Sequence, residues 1–523
     1  MAYGRYSRPS NSGGYQKKNT ELPPFKKPTF APSTYQMAVL DALKNTADSI
    51  IIDAKAGSGK TSTISLIVAE LLDMIPLPSY VVVAFNKSIS LELQARGMNG
   101  RTFHSLGYST VSFALSAKNG GVRPELDAQK VAGIIRETYQ DADGFSGALT
   151  RLVSLAKNHM LTPACTNDEI IRLISHFDVD WDDENIHDQD MCDMVRAILA
   201  ANNANTRTID FDDQLYFVSL LNLKLTKFDY ILVDESQDTN PLRRDLIRRM
   251  MHSSSRVIAV GDPQQAIYGF TGASHDSMDL IRESFNATVL PLSVSYRCPR
   301  RVIELAQTIV PDILARDDAP DGSILRLETM KRSAFQPTDL VICRNTAPLV
   351  ETAYKLLAAR IPCRIMGREI GASLTSLIKR LTRKNETLES LTGRLITYRD
   401  VEATKAMDQR KETKAQAIRD KVDAILSILE SMTPEDSDGG IPRLIAIIDG
   451  MFADKTNGCT TLATVHKAKG LEASRVIILD SHLMPSKMAR QDWQIQQERN
   501  LMYVAYTRSL DTLVFIDTKN LID

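Results

Sequence analysis

Short apolar runs alternate with amphipathic stretches along most of this chain. Runs at Ile50–Ile52, Tyr80–Ala84, Tyr230–Val233, Val257–Val260, Leu340–Cys343, Thr461–Val465 and Val476–Leu479 read as strands. Several are apolar on both faces, the mark of parallel strands covered by helices. This α/β alternation occurs twice, from about 34 to 290 and from about 291 to 523.

Each half is interrupted. Between Gly107 and about Thr206 the pattern turns helical and polar, with an acidic stretch FDVDWDDENIHDQD at 177–190. Its carboxylates lack an EF-hand register, so it reads as a solvated loop and not a metal site. A second helical insertion runs from about Ala372 to Asp454. In it Ala415, Ile418, Val422, Ile425 and Leu429 form one apolar stripe, the signature of core packing. KRLTRK at 379–384 is a candidate basic surface. Residues 1–28 set Arg5, Arg8, Lys17, Lys18, Lys26 and Lys27 against Glu21 alone. They read as a disordered basic tail, either simply solvated or adding weak phosphate contacts.

Composition narrows the class. The 523 residues hold 63 Lys+Arg against 64 Asp+Glu, a net charge of −1, with 43% hydrophobic and 24% charged positions. That is ordinary globular material; it excludes collagen-like, wholly disordered and disulfide-scaffold chains. It also excludes nucleic-acid binding by bulk positive charge, but not by a local groove. Cysteines at 165, 192, 298, 343, 363 and 459 form no CxxC pair, which argues against zinc ribbons and iron–sulfur clusters. Scattered thiols, no secretion signal and no apolar run near the roughly 18 residues of a membrane span predict a cytoplasmic protein.

The chemistry begins at IIDAKAGSGKT, 51–61, which reads as strand, loop and helix start. Gly57 and Gly59 allow the tight turn that points backbone N–H groups, Ser58 included, at phosphates. Lys60 would reach the β- and γ-phosphates and Thr61 would offer its hydroxyl to Mg²⁺. Ala54 stands where the usual first glycine would be. The apolar run 230–233 ends in Asp234-Glu235. A phosphate-loop enzyme needs one such carboxylate for Mg²⁺, here Asp234, and a neighbour to orient or deprotonate water, here Glu235.

In order along the chain, these and further blocks resemble the motifs of superfamily 1 DNA helicases of the UvrD/Rep type. PSTYQ (32–36) is similar to the adenine-reading Q motif, with Gln36 facing the base. AKAGSGKT (54–61), VVVAFNKS (81–88), TFHSL (102–106), VDESQDTN (233–240), GDPQQAIYGFTGA (261–273), LSVSYR (292–297), TVHKAKGLE (464–472) and QERNLMYVAYTR (497–508) follow. The resemblance implies two RecA-like phosphate-loop NTPase domains with parallel sheets, each carrying a mainly helical insertion. It implies a first domain at 29–107 and 206–290, with an insertion at 108–205. The second would be 291–374 and 456–523, with a short insertion at 375–455.

Family roles carry over to matching positions. Arg297 and Arg508 would be arginine fingers on the γ-phosphate, worth roughly 10³–10⁵ in rate. Gln265 would sense that phosphate, Tyr296 stack on adenine, and Glu472 contact the sugar. Phe85, Asn86, His104, Tyr268 and Phe270 stand at or near DNA-contacting positions, the aromatics as base platforms. Thr102, Thr464 and His466 would bond the sugar–phosphate backbone. For each aromatic, plain core packing is the alternative. Asp210, Asp212 and Asp213 of TRTIDFDDQL read as structural or DNA-proximal, not as a nuclease site.

Departures mark a divergent, compact branch, compatible with a phage origin. Phe270 replaces a common Trp, Ser62 a common Arg, and Ala473 a common aromatic. The short stretch after Arg508 leaves no expectation of an appended nuclease. The resemblance implies ATP and Mg²⁺ as cofactors, single-stranded DNA and duplex junctions as substrate, and 3′→5′ movement. The expected setting is a bacterial or phage-infected cell, with recombination or replication proteins as candidate partners; the oligomeric state is left open, with a monomer expected. An RNA or RNA–DNA helicase, or an ATP-gated nucleic-acid clamp that does not unwind, stays open on the residues alone.

Overall fold

The computed structural model describes residues 22–522 except 140, 141, 143, 178, 182, 184, 268–275, 385, 409–411, 454–457 and 490. Two six-stranded sheets carry it, and every pairing within them is parallel. The first is ordered Gly100–Thr102, Tyr80–Ala84, Tyr230–Val233, Arg256–Gly261, Ile50–Ala54, Thr288–Leu292. The hydrophobic pattern predicts its inner strands and misses both edges. Gly100–Thr102 is too short to show periodicity. Thr288–Leu292 contains Pro291, whose missing N–H is tolerated at an edge.

The second sheet is ordered Ser323–Arg326, Ser509–Ile516, Ala473–Leu479, Leu340–Cys343, Thr460–Thr464, Cys363–Ile365. Again the edges escape the pattern. Ser509–Ile516 does too, because Asp511 and Thr512 interrupt its apolar run.

The two helical insertions are built differently. Helices Lys130–Thr138, Ser146–Asn158, Asn167–His176 and Asp188–Ala204 enclose a core of their own around Leu149, Leu152, Ile170 and Val195. The helices between Arg368 and Met451 share one core with the second sheet: Leu374, Leu395, Val422 and Ile425 pack in the same cluster as Val341 and Leu349. Position 375 lies inside helix Arg368–Leu381, so no break in the backbone marks the start of the second insertion. In the expected stripe Ala415, Val422 and Ile425 are buried, and Ile418 and Leu429 partly so.

Asp210 and Asp213 root the first insertion. Lys130 reaches Asp213 at 2.7 Å, and Lys157 reaches Asp210 at 2.6 Å and Asp213 at 2.9 Å. Asp212 accepts from Ser154 at 2.6 Å and Asn158 at 3.1 Å.

Residues 22–28 depart from the disordered tail that composition predicts. Phe25 packs against the first core, Lys26 N–H donates to Arg96 O at 3.2 Å, and Lys27 pairs with Asp73 at 2.7 Å. Gly97, at φ +82°, makes room: a Cβ there would lie 2.6 Å from Phe25 Cα. Residues 1–21 lie outside the described residues. All six cysteines are free and buried. Among the described residues no helix is long and apolar enough to cross a membrane.

Candidate active site

Ile50–Ala54, Arg256–Gly261 and Tyr230–Val233 are neighbours in the first sheet, so the chain leaves all three along one edge. The phosphate loop, Asp262 and Asp234-Glu235 therefore converge, at the strand ends where α/β sheets bind ligands. Gly57 and Gly59 sit at φ +72° and +87°, in the left-handed region. Gly57 has a second reason to be glycine: a Cβ would meet Arg297 Cβ at 2.5 Å. Helix Lys60–Leu72 follows directly, with its first N–H groups at the loop.

Glu235, at φ +50°, turns its carboxylate onto Lys60, with Nζ 2.6 Å from Oε1. Its other oxygen accepts from Gln237 Nε2 at 2.5 Å. Burial would raise the Glu235 pKa, but Lys60 and Lys469 outweigh it and hold the group at about 2. Burial works against the Lys60 ammonium too, and Glu235, Asp234 and Asp262 overcome it. Asp234 goes the other way: burial, then the negative charge of Glu235, push it up to about 7. Its side chain accepts one hydrogen bond among the described residues, from Glu235 N–H at 3.0 Å. Asp262 is raised to about 6 by burial and accepts from Gln265 Nε2 at 2.7 Å and Tyr503 Oη at 3.2 Å.

The second domain supplies the opposite wall. Lys469 Nζ donates to Asp238 Oδ2 at 2.7 Å and to Gln265 O at 2.8 Å, across the cleft. Arg297 Nε lies 2.7 Å from Glu472 Oε2, so these two expected nucleotide contacts hold each other. Arg508 is 1% exposed and donates to Val504 O at 3.0 Å. Burial first, and Arg297 beside it, lower its pKa to about 10. Gly57, Lys60, Phe85, Asn86, Glu235, Asp238, Gln265, Arg297, Lys469 and Arg508 line one cavity of about 150 Å³. Asp238 Oδ1 at this cavity and Ser58 Oγ in the phosphate loop are buried without a hydrogen-bond partner among the described residues. Such unsatisfied atoms mark a place built to be completed by something else.

Gln36 lies against the loop: Oε1 accepts from Ser33 N–H at 3.0 Å and Nε2 donates to Thr63 Oγ1 at 3.1 Å. Tyr296 is half-exposed, and its N–H donates to Gly57 O at 2.8 Å. Thr61 opens the helix beside Lys60, half-buried. The donor set suits a hard divalent cation. Asp234 carries a buried carboxylate that a positive charge would stabilise, and Thr61 offers a hydroxyl oxygen.

The expected DNA-contacting residues are scattered. Phe85 lies under the Arg243 guanidinium, 4.7 Å from its ring centre, at the 150 Å³ cavity. Asn86 caps helix Lys87–Ala95, accepting from Ile89 N–H at 2.9 Å. Thr102 caps helix Phe103–Lys118, accepting from Ser105 N–H at 3.0 Å. Thr464 caps Val465–Ala468. His104 is held neutral, at about 4, by burial and then by Arg243. Burial also takes His466 down to about 3. His466 lines a separate, larger cleft of about 520 Å³ with Arg151, Phe177, Arg344 and Trp493. Tyr268 and Phe270 lie outside the described residues. Asp262, Lys469 and Tyr503 join the site as well, each from inside one of the motifs quoted above and none of them expected there from the sequence.

Residues 36–286 match the model of the UvrD/REP helicase N-terminal domain, and 461–516 that of the UvrD-like helicase C-terminal domain. The chain is 27% identical over 291 residues to the ATP-dependent DNA helicase Rep of Escherichia coli, covering 50% of this chain and 41% of that protein. It is 27% identical over 293 residues to the ATP-dependent DNA helicase srs2 of Schizosaccharomyces pombe, covering 49% and 32%. Similarity to the F-box DNA helicase protein 1 of the same yeast is 23% over 542 residues, covering 92% of this chain and 57% of the other. The chain thus spans well under two thirds of the length of each of these relatives. With both domain matches in order and the cleft assembled between them, the chain belongs to the UvrD/Rep type of superfamily 1 helicases.

Proposed function

We propose that this protein is an ATP-dependent DNA helicase or single-strand translocase that moves 3′→5′. One observation carries the reading. Lys60 and Glu235 meet at 2.6 Å in a cavity whose opposite wall brings Arg297, Lys469 and Arg508 from the second domain.

Nucleotide phosphates entering this cavity compete with Glu235 for Lys60. Once Lys60 turns to phosphate, Glu235 loses the partner that does most to offset its burial. Its pKa then rises and the carboxylate is free to orient or deprotonate water. Arg297 would exchange Glu472 for phosphate, and Arg508 already stands desolvated, where its charge acts at full strength. Thr61 and Asp234 would hold Mg²⁺, which when bound neutralises phosphate charge. Lys469, joined to Asp238 and Gln265, would carry the change of state between domains. The cleft of Arg151, Arg344, His466 and Trp493 would offer cations and an aromatic platform for a single strand. The names of the relatives support DNA as the substrate.

The test is ATP hydrolysis with and without single-stranded DNA or RNA, followed by unwinding of 3′-tailed and 5′-tailed duplexes. DNA stimulation with displacement from the 3′-tailed substrate alone supports the reading. Greater stimulation by RNA, or hydrolysis with neither strand displacement nor directional movement along single-stranded DNA, sinks it in favour of an RNA motor or a clamp.

A further inference from the structure

The phosphate loop contains a second lysine with an unusual set of partners. Lys55 is 2% exposed, yet its ammonium reaches four oxygens on three segments. Asp53 Oδ1 and Oδ2 lie at 3.1 and 3.0 Å, and Gln264 Oε1 at 3.0 Å. Asp312 Oδ2 lies at 3.0 Å. Asp53 and Gln264 belong to the first domain. Asp312 does not: its neighbours Val310 and Ile313 are buried in the core of the second sheet, with Leu501 and Tyr503.

The partners are unequal in a useful way. Without Asp312, Lys55 keeps a carboxylate and an amide oxygen inside its own domain, so no bare charge is left buried. Asp312, with its side chain 59% exposed, returns to water at little cost. The contact can therefore break and reform without penalty to either fold. It is also the side-chain member of a series. Ala56 N–H donates to Tyr503 Oη at 2.8 Å, and Gly57 O accepts from Tyr296 N–H at 2.8 Å. Residues 55, 56 and 57 are thus each fastened to the second half of the chain.

We propose that Lys55 and Asp312 form a releasable latch that holds the phosphate loop against the second domain and biases the cleft towards its closed arrangement. Lys55 is the fixed half and Asp312 the half that lets go. Nucleotide binding and release would be tuned by this positioning pair, which lies beside the groups expected to touch phosphate. The link to turnover rests on the proposed ATPase; the latch itself does not.

The experiment places a donor–acceptor dye pair on helices Thr34–Asn45 and Thr346–Ala358 and compares wild type, Asp312→Asn and Asp312→Glu. Without nucleotide, Asp312→Asn should lower the closed-to-open ratio about two- to fivefold, the size of a half-exposed ion pair. Asp312→Glu should restore it. With ATP, the KM of Asp312→Asn should rise by a similar factor while kcat stays within twofold. An unchanged distance distribution and KM in Asp312→Asn overturn the latch. A shifted distribution in a protein that never hydrolyses ATP keeps the latch and removes the functional reading instead.

Discussion

The structure contains two buried clusters of lysine and carboxylate, one at the root of the first insertion and one at the cleft between the domains. At the root, Lys130 and Lys157 face Asp210 and Asp213, and everything is answered. Asp213 N–H donates to Asp210 Oδ1 at 2.7 Å and Asp210 N–H returns to Asp213 Oδ2 at 3.1 Å. Asn202 bridges Lys157 and Asp213, and Lys130 also takes the carbonyls of Asn202 and Asn205. In the cleft, Lys60 with Glu235 and Lys469 with Asp238 form pairs of which the second crosses between domains, and Asp238 Oδ1 is buried without a hydrogen-bond partner among the described residues. The first cluster has no reason to change and fixes the insertion in place. The second is stable enough to persist and incomplete enough to accept a ligand. Buried charge is costly in both, so what separates structure from chemistry is completeness, not charge.

That contrast is easiest to break at its largest effect. Lys60→Ala should lower DNA-stimulated ATP hydrolysis by at least about 10³-fold, since it removes the cation nearest the expected phosphates. Its loss of stability should be clearly smaller than a root variant's, because Glu235 is 20% exposed and keeps Gln237 as a partner. A loss of stability matching a root variant would mean that the cleft cluster is also structural. Lys157→Met is the reciprocal test. Breaking a closed buried pair should cost about 3–5 kcal/mol in denaturant unfolding. Hydrolysis per folded molecule should survive at low temperature; a specific loss of turnover would erase the distinction.

Lys469→Ala sharpens the comparison at the bridge. It leaves Asp238 buried with neither oxygen answered by a cation, and severs the contact to Gln265 O. DNA stimulation of hydrolysis should fall about ten- to a hundredfold, the scale of a hydrogen bond to a charged group. Basal nucleotide binding, measured by a fluorescent analogue, should change far less. Equal losses in both would make Lys469 a phosphate ligand and not a bridge.

The cleft was readable in the sequence because its chemistry needs rare combinations at fixed spacing. A glycine-rich turn before Lys60-Thr61 and an acidic pair after a buried strand have few other uses. The root cluster was half legible: DFDD stood out, but Lys130 and Lys157 lie 83 and 53 positions from the carboxylates they meet. Nothing local announces such pairs. Lys55 escaped for a related reason, since only the tertiary fold brings Asp312 to it. Edge strands failed because three residues, or a proline, erase alternation. The small polar side chains expected at DNA are the clearest gap. Asn86, Thr102 and Thr464 each stand before a helix, and capping selects the same side chains as phosphate contact does.

Thr102 separates those two demands with the smallest effect. As a cap, its Oγ accepts from Ser105 N–H while Ser105 Oγ answers Thr102 N–H at 3.1 Å. Thr102→Ala removes the acceptor and should cost about 1 kcal/mol of stability. Taken alone, that loss fits either role. Thr102→Asp distinguishes them, because aspartate caps as well as threonine and its charge favours a helix N-terminus. A Thr102 that only caps gives a Thr102→Asp protein with wild-type stability and wild-type affinity for single-stranded DNA. A Thr102 that also faces the strand gives wild-type stability with weakened binding. The added charge repels phosphate, and the weakening should grow as salt is lowered.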